Sequence, residues 1–62
     1  MQVSAEQMKT YRAMVAELLK SNRVTTAKDI GFLRSLNDWD GRFTWNQVGR
    51  LERIYGRAMG EV

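Results

Sequence analysis

Two short stretches, forty positions apart, constrain the fold most, because each carries the signals that begin an α-helix. In VSAEQM, Ser4 is placed as an N-cap, and Gln7, three residues later, is its partner in a capping box. Val3 and Met8 form a hydrophobic staple, in which two apolar side chains fix the entry of the chain into the helix. The stretch FTWNQV repeats this arrangement with Phe43, Thr44, Gln47 and Val48.

The residues after each start have apolar side chains at helical spacing. In the first segment these span an arc of about 140° at 100° per residue, and they are Met8, Tyr11, Met14, Val15, Leu18 and Leu19. The second set lies forty positions later and consists of Val48, Leu51, Ile54, Tyr55, Ala58 and Met59. Asn22 and Gly60 are placed to end the two helices. The pattern predicts helices over 5–21 and 45–59.

A third apolar face lies between these segments and is formed by Ile30, Phe32, Leu33 and Leu36. Thr26 is a candidate N-cap for this helix, and Asp29 in its first turn suits the positive end of the helix dipole. Proline is absent and no alternation of period two occurs, so the sequence gives little support to strands.

We therefore predict an all-α fold, a compact three-helix domain over residues 1–62. Its helices are expected at 5–21, 27–37 and 45–59. The middle helix is expected to contact both neighbours, which requires a wider apolar arc than a peripheral helix needs.

The composition excludes several kinds of chemistry. The 62 residues include neither cysteine nor histidine, so disulfides and thiolate zinc sites are excluded. The usual partner of a serine or threonine nucleophile is also missing. A chain of this length has little room for a pocket that encloses a substrate. We therefore expect no enzymatic activity, no catalytic residue and no cofactor.

The location of the protein is predicted from its hydropathy. The longest apolar run is far too short to span a bilayer, and the stretch MQVSAEQMK lacks the apolar region of a signal peptide. We expect a cytoplasmic protein that has no membrane partner.

The stretch NDWDGRFTWNQ looks like part of a calcium-binding loop. With Gly41 as the glycine of an EF-hand, Asp38 and Asp40 take its third and fifth positions. The first ligand position then falls on Leu36, and the position of the bidentate glutamate falls on Gln47. The acidic residues are also typical of turns, and Gly41 is suited to a positive φ. We predict a helix-to-helix connection that binds no metal.

The candidate partner-binding residues are Trp39, Trp45, Gly49 and Gly56. A glycine inside a helix costs about 1 kcal/mol relative to alanine, and two glycines seven apart suit the close approach of another helix. The simpler explanation is that this helix belongs to the same chain; the alternative is a partner or a second copy. Tryptophans beside a loop often cover the end of a small core, but with arginine they are also typical of binding hot spots.

The candidate nucleic-acid-binding residues are Arg42, Arg50, Arg53 and Arg57. Arginine makes bidentate contacts with phosphates, and the net charge of +3 permits such binding. The alternative is the solvated side of an amphipathic helix. A helix-turn-helix is not favoured, because about six residues separate the second and third helices whereas that motif has a turn of three or four.

The run FLRSLNDWDGRFTWNQVGRLERIYGR, residues 32–57, resembles a helix pair that is common in small uncharacterised phage and bacterial proteins. The matching residues are Phe32, Ser35, Leu36, Thr44, Gln47, Leu51, Ile54 and Tyr55. The resemblance implies an accessory protein of phage or mobile-element type, and it carries over no catalytic residue.

The sequence as a whole predicts a small non-enzymatic accessory protein that docks on a partner protein. The alternative is a nucleic-acid-binding module that uses the basic face of the third helix. A homodimer, as a self-associating structural protein, is a third hypothesis.

Overall fold

Three α-helices make up the fold of this chain in a computed structural model that describes residues 2–60. They are α1 (Ala5–Ser21), α2 (Ala27–Asn37) and α3 (Trp45–Met59). The prediction of an all-α, three-helix domain is confirmed, and the helix bounds coincide with those expected from the caps and the apolar spacing. Across the described residues, none of the helices combines the length and the apolar character needed to cross a membrane.

Helices α1 and α3 begin with the predicted capping boxes. The Ser4 hydroxyl accepts from the Gln7 backbone N–H at 3.1 Å, and the Gln7 side chain accepts from the Ser4 backbone N–H at 3.1 Å. At α3, the Thr44 hydroxyl accepts from the Gln47 backbone N–H at 3.2 Å, and the Gln47 side chain accepts from the Thr44 backbone N–H at 2.7 Å. Helix α1 ends at Asn22 in the left-handed conformation, with φ 60°. These bonds satisfy backbone groups that would otherwise have no partner within the helix.

Helix α2 begins differently from the other two. Its N-cap residue is Thr26, but within residues 2–60 no helix N–H donates to the Thr26 side chain, so the predicted side-chain cap is wrong. The third helical position holds Asp29, and its carboxylate lies near Arg50 and Arg57 of α3. The side chain at the third position of α2 is therefore engaged in a contact between helices.

The core is packed around α1, which lies against both other helices. Helix α2 contacts both neighbours, as predicted: it packs against α1 and meets α3 through long side chains that include Asp29 and Arg50. Ten buried apolar residues form the core: Val3, Met8, Val15, Leu18, Leu33, Leu36, Phe43, Val48, Leu51 and Ile54.

The starts of α1 and α3, which look alike in the sequence, are also adjacent in space. Gln2 and Thr44 form an isolated antiparallel β-bridge, and the Val3 backbone N–H donates to the Phe43 carbonyl at 3.1 Å. The Phe43 backbone N–H in turn points at the Met8 sulfur, at 3.2 Å. The two staples are therefore joined to each other, a pairing that a search for strands of period two could not detect.

Candidate docking surface

The two tryptophans are not covered by the core. Trp39, in the connection from α2 to α3, and Trp45, at the start of α3, each expose 43% of their surface. Within residues 2–60 they are the large apolar residues that remain exposed. This exposure favours the binding interpretation over the alternative in which they only cover the end of the core. We use the name docking surface for Trp39, Trp45, Gly49 and Gly56.

Both glycines of the docking surface lie in open space. A Cβ atom added to Gly49 or Gly56 would meet no atom of the described chain within 4 Å, apart from the nearby backbone of its own helix. The expectation that another helix of this chain approaches them is therefore wrong. At 100° per residue, Trp45, Gly49, Gly56 and Gly60 fall within an arc of about 60° on the exposed side of α3. The strip is smooth and accessible.

Two of the four candidate arginines are engaged within the chain. An Arg50 nitrogen lies 3.8 Å from one carboxylate oxygen of Asp29, and an Arg57 nitrogen lies 4.0 Å from the other. The Arg50 guanidinium also stacks over the Phe32 ring, 4.4 Å from its centroid. The exposed arginines Arg42 and Arg53 complete the set. The four arginines therefore do not form one uniform, free stripe.

Arg12 of α1 is a residue of this region that the sequence reasoning missed. Its Nη2 atom donates to the carbonyls of Trp39 at 2.8 Å and Gly41 at 3.0 Å. Its guanidinium also lies 5.2 Å from the centroid of the Phe43 ring. Arg12 follows Met8 by four residues and so lies one turn along the same side of α1. Its partners are 27 and 29 positions away in sequence, and no local pattern indicates them.

The connection between α2 and α3 has the features of a turn. Gly41 adopts φ 103°, as predicted, and Asp38 and Asp40 are exposed. An EF-hand uses the carbonyl of its seventh position as a ligand, which here is the Arg42 carbonyl. That carbonyl accepts from the Trp39 indole N–H at 3.2 Å. Within the described ranges, no three acidic side chains come together as metal ligands would.

Away from the docking surface, one ionisable pair joins α3 to α1. The Tyr55 hydroxyl donates to a carboxylate oxygen of Glu17 at 3.1 Å. This hydrogen bond, together with desolvation and the negative charge of Glu17, raises the pKa of Tyr55 above its usual value of 10.0. The neutral phenol is the form that makes the contact.

The chain has hollows near the C-terminal end of α3. One, of about 80 Å³, lies where the start of α2 faces the end of α3 and is lined in part by Arg23, Asp29 and Arg57. It is well below the few hundred Å³ typical of pockets that enclose a ligand. A larger hollow of about 700 Å³, beside Lys20 and Tyr55, is broad and open to solvent.

No protein-family model matches the chain, and comparisons with curated proteins and with solved structures found no match either. The resemblance of residues 32–57 to the phage and bacterial helix pair therefore stays a prediction.

Proposed function

We propose that this chain is a small non-enzymatic accessory protein that acts by docking on a partner protein. The observation that carries the proposal is the exposure of Trp39 and Trp45, 43% each, in a chain that buries ten other apolar residues. Tryptophan is enriched among the residues that dominate binding energy at interfaces. When a partner covers a large aromatic side chain that was exposed to water, the burial of its apolar surface stabilises the complex.

The exposed strip of α3 supports the same proposal. Gly49 and Gly56 have open space above them, so the backbone of a partner can approach α3 closely along two helical turns. Glycine inside a helix is less favourable than alanine by about 1 kcal/mol. A docking function gives a reason for keeping two glycines where the fold itself has room for side chains.

The alternative is a nucleic-acid-binding module that uses Arg42, Arg50, Arg53 and Arg57. The net charge of +3 favours it. The proximity of Asp29 to Arg50 and Arg57 counts against it, because that carboxylate partly neutralises two of the four charges. Docking on a protein makes better use of the exposed indoles.

The finer description of the protein rests on the sequence. The absence of histidine and cysteine supports a role without catalysis. The phage or mobile-element context is supported by the helix-pair resemblance alone, and the cytoplasmic location by the hydropathy of the sequence.

The proposal is tested by affinity capture from the native host with tagged glycine variants. Gly49→Gln and Gly56→Gln place a long, uncharged side chain on the docking surface without lowering helix propensity. Gly31→Gln is the matched control, because Gly31 is a helical glycine of α2 with equally open space around it. We expect the wild type and Gly31→Gln to retain the same partner. The affinity of the other two variants for that partner should fall at least tenfold, which corresponds to about 1.4 kcal/mol of binding free energy.

Equal capture by all four proteins, or no partner for the wild type, would contradict the proposal. A salt series separates the two classes of partner. Nucleic-acid affinity falls steeply as salt rises, whereas an interface built on tryptophan tolerates salt. Binding that is lost in Arg53→Gln and at moderate salt, yet unchanged in Gly49→Gln, would establish the nucleic-acid alternative.

A further inference from the structure

We propose that Arg12 is the positioning residue of the docking surface: it holds residues 39–42, and with them the Trp39 indole, in one orientation. The functional part of this inference rests on the proposed docking role. The structural part stands on contacts within the chain and is testable without a partner.

The first step is the pair of hydrogen bonds that Arg12 makes. A single nitrogen, Nη2, donates to the carbonyls of Trp39 and Gly41 at 2.8 and 3.0 Å. The donor is ionised, and hydrogen bonds with an ionised donor are about twice as strong as neutral ones. The positive φ of Gly41, 103°, is readily adopted by glycine. With Gly41 in this conformation, the turn presents the carbonyls of Trp39 and Gly41 to one donor.

The second step is the anchoring of Arg12 itself. The residue belongs to α1, the helix around which the core is packed. Its guanidinium lies over the ring of Phe43, which is fully buried. Phe43 is in turn bonded through its backbone to Val3. Arg12 therefore holds the turn from a rigid part of the molecule, and a cation over an aromatic ring adds to that hold.

The third step connects the turn to the indole. The Trp39 Nε1–H donates to the Arg42 carbonyl at 3.2 Å. The indole is thus tied to the same turn whose carbonyls Arg12 binds. An exposed tryptophan held in one orientation loses less conformational freedom on binding than a mobile one, and such pre-organisation raises affinity.

The test is backbone ¹⁵N relaxation of the wild type and three variants. Arg12→Met keeps the apolar stem over Phe43 and removes the donors. Arg23→Met is the matched control, because Arg23 also donates to a backbone carbonyl, that of Ala58 at 3.3 Å. We expect the order parameters of residues 39–42 to fall from about 0.85 to below about 0.6 in Arg12→Met. They should stay at the wild-type value in Arg23→Met. Arg12→Lys keeps the charge and N–H donors but lacks the planar guanidinium, so its order parameters should lie between those of Arg12→Met and the wild type.

Unchanged order in Arg12→Met, or an equal loss of order along all three helices, would overturn the inference. If Arg12→Met does not fold, Arg12→Gln, which retains a polar group, decides in its place. The docking arm uses the partner captured by the wild type: Arg12→Met should weaken capture, with no further effect in a Trp39→Ala background. A wild type without a partner would end the proposed function, while the relaxation result would still decide the role of Arg12.

Discussion

At the residue scale, the same side chain has different consequences at two helix starts. The Thr44 hydroxyl accepts from the Gln47 N–H at 3.2 Å, whereas the exposed Thr26 holds the N-cap position of α2 through its backbone: its carbonyl accepts from the Ile30 N–H at 3.0 Å. A cap stabilises a helix when its side chain reaches an N–H that has no partner. A threonine at the N-cap position does not stabilise the helix in this way unless its hydroxyl makes that hydrogen bond.

We expect Thr44→Ala to lower the free energy of unfolding by about 1 kcal/mol, and Thr26→Ala to change it by less than about 0.5 kcal/mol. Urea denaturation followed by circular dichroism measures both. Thr44→Ser keeps the hydroxyl and serves as the control for lost methyl packing, so it should fall close to the wild type. Equal losses for the two alanine variants would show that the Thr44 cap contributes little.

The hydrogen bond from Tyr55 to Glu17 makes a prediction about pH. Because the folded state raises the pKa of Tyr55 above 10.0, the contact stabilises the fold fully below that pH. This contribution is lost as pH rises through the folded pKa. We expect Glu17→Ala to lower the pKa of Tyr55, measured by tyrosinate absorbance in a Tyr11→Phe background. Glu6→Ala, on the same helix, is the control, and an unchanged Tyr55 titration in Glu17→Ala would contradict the assignment.

At the scale of elements, α3 is a helix that buries one side tightly and leaves the other smooth. Val48 and Leu51 are buried, while Gly49 and Gly56 lie in open space. The glycines are therefore not required by packing within the chain. Their effect on stability should follow from helix propensity alone.

We expect Gly31→Ala, Gly49→Ala and Gly56→Ala each to raise the free energy of unfolding by about 0.5–1 kcal/mol, because alanine fits a helix better and meets no obstacle. Gly41→Ala should instead lower the free energy of unfolding, because φ 103° strains any residue with a Cβ. Thermal melts compare the four variants. A destabilised Gly49→Ala or Gly56→Ala would mean that something in the molecule does approach these positions.

The connection between α2 and α3 yields a prediction about metal. Its Arg42 carbonyl binds an indole N–H, and its Trp39 and Gly41 carbonyls face the Arg12 cation. Calcium should therefore leave the circular dichroism spectrum and the melting temperature unchanged. Micromolar binding in a calorimetric titration would contradict this.

The elements that the sequence predicts well are those with local causes. The Ser4 and Thr44 capping boxes each lie within four consecutive residues, and the apolar faces repeat every three or four positions, so local chemistry sets the helix ends. The packing of α1 against both neighbours has no such signal. The contacts of Arg12 with Gly41 and of Asp29 with Arg50 join residues far apart in sequence, and only the folded chain defines them. For the same reason, the sequence named the glycines of the docking surface but not whether they were covered.

At the scale of the whole molecule, the small size of the core dominates. A chain of this length buries about 60% of the surface that it exposes when unfolded. At about 0.05–0.15 kcal/mol per residue, its total stability is roughly 3–9 kcal/mol. Each fully buried side chain is therefore a large fraction of the whole.

We expect Leu51→Ala to cost about 2–5 kcal/mol, because Leu51 is completely buried. At the lower end of the stability range given above, this loss is enough to leave much of the population unfolded. The half-buried Leu19 is the control, and Leu19→Ala should cost clearly less. Urea denaturation measures both, and a loss below about 1 kcal/mol for Leu51→Ala would contradict the core described above.

The bond between Val3 and Phe43 also bears on how the protein is made. Val3 is synthesised forty residues before Phe43, yet its backbone N–H and its buried side chain find their places only beside Phe43. During synthesis, the first helix can therefore form its own turns but cannot shield its apolar entry from water. The domain closes only when the start of α3 has emerged, so the folding of α1 is completed well after its own residues have been synthesised.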